Sequence, residues 1–82
     1  MKVRVRLFAR ARELAQCSVL DLELPVGANL GDLRLQLAAA CPALEGILAA
    51  SAFAVNDQFA ENRHLVIPPD AEVALLPPVS GG

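Results

Sequence analysis

The chain has no Trp, no Tyr and only three Phe, so any core it forms is built from aliphatic side chains and alanine. Its one histidine, His64, and its two cysteines, Cys17 and Cys41, form no Cys-x-x-Cys pair. That is too sparse a donor set for a zinc site or a similar one, so no bound metal is expected. Two isolated cysteines read as free thiols, Cys41 a small apolar filler near a helix end and Cys17 in a loop. Neither has an activating histidine nearby in sequence, which argues against a catalytic thiol. His64 reads as a residue flanking a strand, because no second titratable group stands beside it for proton transfer.

Long apolar runs are missing as well. The longest, such as residues 37–41, are far too short to span a bilayer, and residues 1–6 alternate charged and apolar side chains where a secretory segment would be continuously apolar. No membrane association is expected, and a cytoplasmic location is. Positive charge is not in excess either: 7 Lys+Arg against 9 Asp+Glu give a net charge of −2, without the basic footprint of a nucleic-acid binder. Arg4, Arg6, Arg10 and Arg12 concentrate the positive charge, and a solvated strand face accounts for them more simply than RNA does.

What is present is one small domain, residues 1–82, that is 55% hydrophobic. Residues 1–8 alternate strictly, with Val3, Val5 and Leu7 on one face and Lys2, Arg4, Arg6 and Phe8 on the other, which predicts a half-buried strand. Residues 9–15 are strong helix formers and predict two helical turns, and residues 19–24 alternate again up to Pro25 and Gly27. Asn29 is a good helix cap with Asp32 three residues on. Leu30, Leu33, Leu37 and Ala40 then follow at helical spacing to Cys41-Pro42, which predicts the main helix, with the stripe of Leu30, Leu33 and Leu37 in the core. Residues 44–50 predict a further helical turn, 52–59 a hairpin turning at Asn56-Asp57, 64–67 a short strand and 72–76 the last strand. Two strands, one principal helix and then more strands predict an α+β domain whose sheet wraps the helix.

The tail, residues 77–82, has a different character. Pro77 and Pro78 have no backbone donor, so the last strand cannot continue as a paired ladder and is expected to leave as an extended arm. Six peptide steps from Leu76 to Gly82 reach roughly 20 Å. Gly81 and Gly82 have no Cβ, so the arm ends in bare backbone, thin enough to thread a narrow channel and uncrowded at the terminal carboxylate.

The phrase at 7–14 (Leu-Phe-Ala-Arg-Ala-Arg-Glu-Leu), Ala54-Val55-Asn56, and above all the closing 72–82 with Pro77-Pro78-Val79-Ser80-Gly81-Gly82 together span essentially the whole chain. With them the chain resembles the sulfur-carrying small subunits of molybdopterin synthase, a branch of the ubiquitin-like β-grasp superfamily. One departure stands at Pro69-Asp70-Ala71, where the family often has Gly-Asp. The resemblance implies a β-grasp fold with a mixed sheet and a flexible tail over 77–82. It also implies that Gly82 is adenylated by a ubiquitin-activating-type enzyme using ATP, converted by a sulfur donor to a thiocarboxylate (1-thioglycine), and carried into the large subunit. There the sulfur passes to cyclic pyranopterin monophosphate in molybdenum cofactor biosynthesis. It further implies that Gly81 lets the tail thread into the partner, that Pro77, Pro78, Val79 and Ser80 bind the partner along with Phe8 and Leu76, and that this chain binds no cofactor and has no activity alone.

Strand parity adds a docking surface. Phe8 shares a face with Lys2, Arg4 and Arg6, and Leu76 shares one with Glu72 and Ala74; parallel first and last strands, as in a β-grasp sheet, bring both to the root of the arm. The competing expectation turns Phe8 into the core. Related readings share the Gly-Gly end: a carrier for thiamine or transfer-RNA thiolation, a tag conjugated to lysines through Gly82, or an interaction module with an inert tail.

Overall fold

Residues 1–78 are described by the structure, a computed structural model. Strict alternation of buried and exposed positions makes Lys2–Leu7 the strand β1, with Val3, Val5 and Leu7 inward. Helix α1 (Ala9–Ala15) follows and closes with Gln16 in the left-handed region, its backbone N–H returning to the Arg12 carbonyl. Strand β2 (Val19–Glu23) then runs back antiparallel to β1, with Arg4 opposite Asp21 and Val5 opposite Leu20.

The main helix α2 (Leu30–Ala40) begins where a capping box dictates. The Asp32 N–H donates to Asn29 Oδ1 and the Asn29 N–H donates to Asp32 Oδ2, both at 2.9 Å. Leu30, Leu33 and Leu37 from α2 pack into the concave face of the sheet, where Phe53, Val73 and Leu75 join the β1 residues in one core. Replacing Asn29 with Ala removes one member of the box. It should cost about 1 kcal/mol and lower Tm by several degrees in a domain of this size, measured by thermal melting at neutral pH.

Pro42–Leu44 forms one 3-10 turn that leads into the short helix α3 (Glu45–Leu48), which seals one end of the core with Leu44 and Leu48. Strands β3 (Ala52–Val55) and β4 (Gln58–Ala60) form the expected hairpin, with Asn56 and Asp57 both at positive φ (51° and 67°), the signature of a primed two-residue turn. Asn56 also ties the hairpin to the final strand: its N–H donates to the Glu72 carbonyl at 2.8 Å and its Oδ1 accepts from the Glu72 N–H at 3.0 Å.

Strand β5 (Glu72–Leu76) completes a five-stranded sheet in the order β2-β1-β5-β3-β4. It lies parallel to β1 and antiparallel to β3, so the sheet is mixed and the first and last strands are central neighbours, as expected of a β-grasp fold. The turn before β5 resolves the departure at residues 69–71. Asp70 takes a left-handed backbone (φ 60°) after Pro69, and the Ala71 N–H donates to the Pro68 carbonyl at 3.2 Å, so Asp fills the place a glycine would otherwise take.

One expectation fails. Residues 64–67 are not a strand: they make a single bridge, Asn29 with Val66, alongside bonds from the Leu30 N–H to the Leu65 carbonyl (3.1 Å) and the Ile67 N–H to the Ala28 carbonyl (2.9 Å). Only Ile67 of this segment is buried, while Leu65 and Val66 remain exposed. Its partner is the loop leading into α2, too short and irregular to make a ladder. Among the described residues, no helix is long and apolar enough to cross a membrane.

Candidate docking face and arm root

The site is assembled by strand register. On the convex face of the sheet, away from α2, the side chains of β1 and β5 point outward at Arg6 and Ala74, which are opposite each other. Two positions further along the same parallel register, one beyond its last pair Leu7–Leu75, lie Phe8 and Leu76, beside the point where the arm leaves. Phe8 is 37% exposed, so the expectation of an outward Phe8 holds and the core alternative falls. Its ring is covered on one side by the Arg6 guanidinium, 5.5 Å from the ring centroid.

Register across β3 and β4 extends the apolar area. Leu76 stands opposite Ala52, Ala74 opposite Ala54, and Ala54 opposite Phe59, so all five point to the convex face. Phe59 is 75% exposed, which is unusual for so large an apolar side chain unless something covers it. These contributors were not singled out in the sequence. Ala52, Ala54 and Ala74 are small and uninformative there, and Phe59 could be assigned a face only once the hairpin register was known.

Apart from Val19, exposed opposite Arg6, the rest of the convex face described by β1, β2 and the start of β5 is charged. Arg4 Nε pairs with Asp21 at 3.1 Å and Arg6 with Glu72 at 3.2 Å, with Lys2 and Glu23 beyond them. The hydrogen bond to Asp21, reinforced by the carboxylate's charge, raises the pKa of the Arg4 guanidinium above its ordinary value. Both pairs are solvent-exposed and contribute little to stability. Their consequence is geometric: charge is neutralised in pairs at one end of the face and hydrophobic surface is gathered at the other, beside the arm.

The arm itself begins with Pro77, half-buried, and Pro78, exposed, and both follow β5 without strand pairing. Val79, Ser80, Gly81 and Gly82 lie outside the described residues.

His64 donates its backbone N–H to Asn62 Oδ1 (2.8 Å) in an exposed turn, and the Ser51 hydroxyl donates to the Ile47 carbonyl (2.6 Å). Cys17 and Cys41 are partly buried, unpaired thiols packed against the core. Among the described residues no group of three or more His, Cys, Asp or Glu side chains could hold a metal ion. A cleft of about 480 Å³ between α2 and the β3–β4 hairpin, lined by Arg34, Phe53, Phe59 and Glu61, opens to solvent; Arg34 lies over the Phe53 ring at 5.7 Å there.

Comparison with known proteins agrees with this arrangement. The model of the ThiS family matches residues 5–82. The chain is 37% identical to the molybdopterin synthase sulfur carrier subunit of Chlamydomonas reinhardtii, with all of both chains aligned. In structure it is similar to SAMP1 from Haloferax volcanii (TM-score 0.85, 29% identity, all of both chains covered). It is also similar to a chain of the complex between subunits 1 and 2 of molybdopterin-converting factor from Helicobacter pylori (TM-score 0.72, 27% identity, all of both chains covered). With a family model spanning nearly its whole length and a full-length relative of that similarity, the chain belongs to the ThiS family, on a β-grasp fold.

Proposed function

We propose that the chain is the sulfur-carrier subunit of a molybdopterin synthase, delivering sulfur on the carboxylate of Gly82 to a pyranopterin precursor held by a separate large subunit. The observation that carries this reading is the apolar half of the convex face, Phe8, Leu76 and Phe59 with three alanines, lying at the sheet end from which the arm departs. A partner that covers this patch receives the arm at the same time, and roughly 20 Å of chain beyond Leu76 is enough to reach a buried active site. The Helicobacter relative is described as forming a complex of two subunits, which supports a large subunit as that partner.

The chemistry follows from the end group. A carboxylate resists attack at neutral pH, so a ubiquitin-activating-type adenylyltransferase first joins Gly82 to AMP from ATP, releasing pyrophosphate. A sulfur donor then supplies sulfide-level sulfur that bonds to the acyl carbon as AMP leaves, giving the thiocarboxylate, a soft anionic nucleophile. In the large subunit the sulfur bonds to the precursor, and water cleaves the acyl–sulfur bond to restore the carboxylate. ATP is consumed by the activating enzyme, so this chain needs no bound cofactor. Gly81, without a Cβ, suits a narrow passage, and Pro77, Pro78, Val79 and Ser80 bind the partner along it. The two unpaired thiols fit a reducing compartment, and we place the chain in the cytoplasm.

Reconstitution tests the reading. Thiocarboxylated chain, at two or more equivalents per precursor because a dithiolene carries two sulfurs and each chain supplies one, should yield the dithiolene product with purified large subunit, while the carboxylate form yields none. A second reading comes from SAMP1, a protein described as a small archaeal modifier, whose fold this chain shares closely. If the chain is a modifier, incubation with ATP and lysate should join it covalently to other proteins through Gly82.

A further inference from the structure

Two neighbouring residues at the end of β1 break local rules. Phe8 occupies the N-cap of α1, where Ser, Thr, Asp or Asn would supply a side-chain acceptor, and no side-chain cap bond is made. Ala9 has φ 49°, in the left-handed region that disfavours a residue bearing a Cβ. Among the described residues, the other non-glycine residues at positive φ are Gln16 at a helix end, Asn56 and Asp57 in the hairpin and Asp70 in a turn, all with polar side chains suited to such positions. Ala9 alone has nothing to offset the strain.

The surroundings hold this conformation in place. The Phe8 carbonyl accepts from the Ala11 N–H at 3.1 Å and from the Arg12 N–H at 3.4 Å, while the Leu7 N–H donates to the Ser18 carbonyl at 2.8 Å. Leu7 and Ala11 are both buried, and between them the backbone changes from strand to helix with Phe8 extended (φ −126°, ψ 157°) and outward. Glycine at position 9 would relieve the strain but open further conformations to its neighbour. Ala keeps the strained turn and narrows the choices.

We infer that Ala9 is a positioning residue whose left-handed backbone holds Phe8 on the convex face as a preorganised anchor for the synthase large subunit. This rests on the docking face proposed above. Rigid presentation reduces the ordering an interface must impose, so the strain stored at Ala9 returns as affinity.

The test compares Ala9→Gly, Ala9→Asn and Phe8→Ala in the full chain, measuring Tm, the dissociation constant for the large subunit, and the Phe8 amide order parameter. Ala9→Gly should leave Tm unchanged or raise it by up to about 5 °C, because the strain relieved exceeds the added freedom of the unfolded chain. The same substitution should weaken binding by about 3–10-fold and drop the order parameter towards ~0.6. Asn accepts the left-handed region with fewer alternatives than Gly, so Ala9→Asn should retain wild-type affinity. Stability and affinity moving in opposite directions is an outcome that a merely structural residue would not produce. If Ala9→Gly binds like wild type while Phe8→Ala binds weakly, the positioning role is overturned and the docking face stands. If Phe8→Ala also binds like wild type, the docking face itself is wrong and the role of Ala9 falls with it. A lowered Tm in Ala9→Gly would contradict the strain from which the inference starts.

Discussion

Deleting Gly82 should abolish sulfur loading and, with it, synthase activity, even though the shortened chain would still end in glycine and should fold normally. The expectation is one of distance. Removing one residue from an extended arm withdraws the terminal carbon by about 3.5 Å. An acyl-adenylate forms only when the carboxylate lies within roughly 3–3.5 Å of the phosphate it attacks, and even ~1 Å of misplacement lowers such rates about 100-fold. The arm is anchored at Leu76 in a central strand, so the body cannot shift outward to compensate. Loss should therefore be complete by mass spectrometry of the treated protein, with Tm unchanged. Loading at a normal rate would place the reacting group elsewhere.

Replacing Leu76 with Asp should abolish assembly with the large subunit. Leu76 stands opposite Ala52 and one register step beyond the pairing of Leu7 with Leu75, at the junction of the apolar patch and the arm. A partner that covers the patch would have to desolvate the new carboxylate with no cation placed to receive it, since the arginine of β5's neighbour, Arg6, already pairs with Glu72. Affinity should fall at least ~100-fold, equivalent to about 2.7 kcal/mol. Because position 76 is half-buried on the outer face and outside the core, the variant should still fold, with Tm only modestly lowered. Binding by titration calorimetry and far-UV circular dichroism on the same sample separate the two effects. Wild-type affinity would remove the patch from the interface.

Much of the fold was legible because local and tertiary preferences agree. The alternation in β1, the helix formers over Ala9–Ala15 and the Asn29–Asp32 capping box each specify an element whose burial in the sheet reinforces the same choice. Residues 64–67 misled for the opposite reason. A run of apolar residues satisfies strand propensity, but the segment meets only the loop before α2, and pairing needs a partner as well as a pattern.

The site divides along similar lines. Parity correctly put Phe8 and Leu76 on one outer face, since period-2 alternation survives in any sheet. Phe59 joins them only through the register Ala54–Phe59 and Ala54–Ala74, a relation among three strands that no single stretch encodes. The positive φ of Ala9 was invisible too, because alanine there matches an ordinary helix start and only the tertiary frame around Leu7 and Ala11 forces the left-handed turn.

The most direct measurement is the intact mass of the chain after incubation with its activating enzyme, ATP and a sulfur donor. A carrier gains the difference between one sulfur and one oxygen, localised to Gly82 by fragmentation, and loses it again when the large subunit and precursor are added. A mass that never changes, or one that rises by a whole conjugated protein, would contradict the assignment of sulfur delivery to this chain.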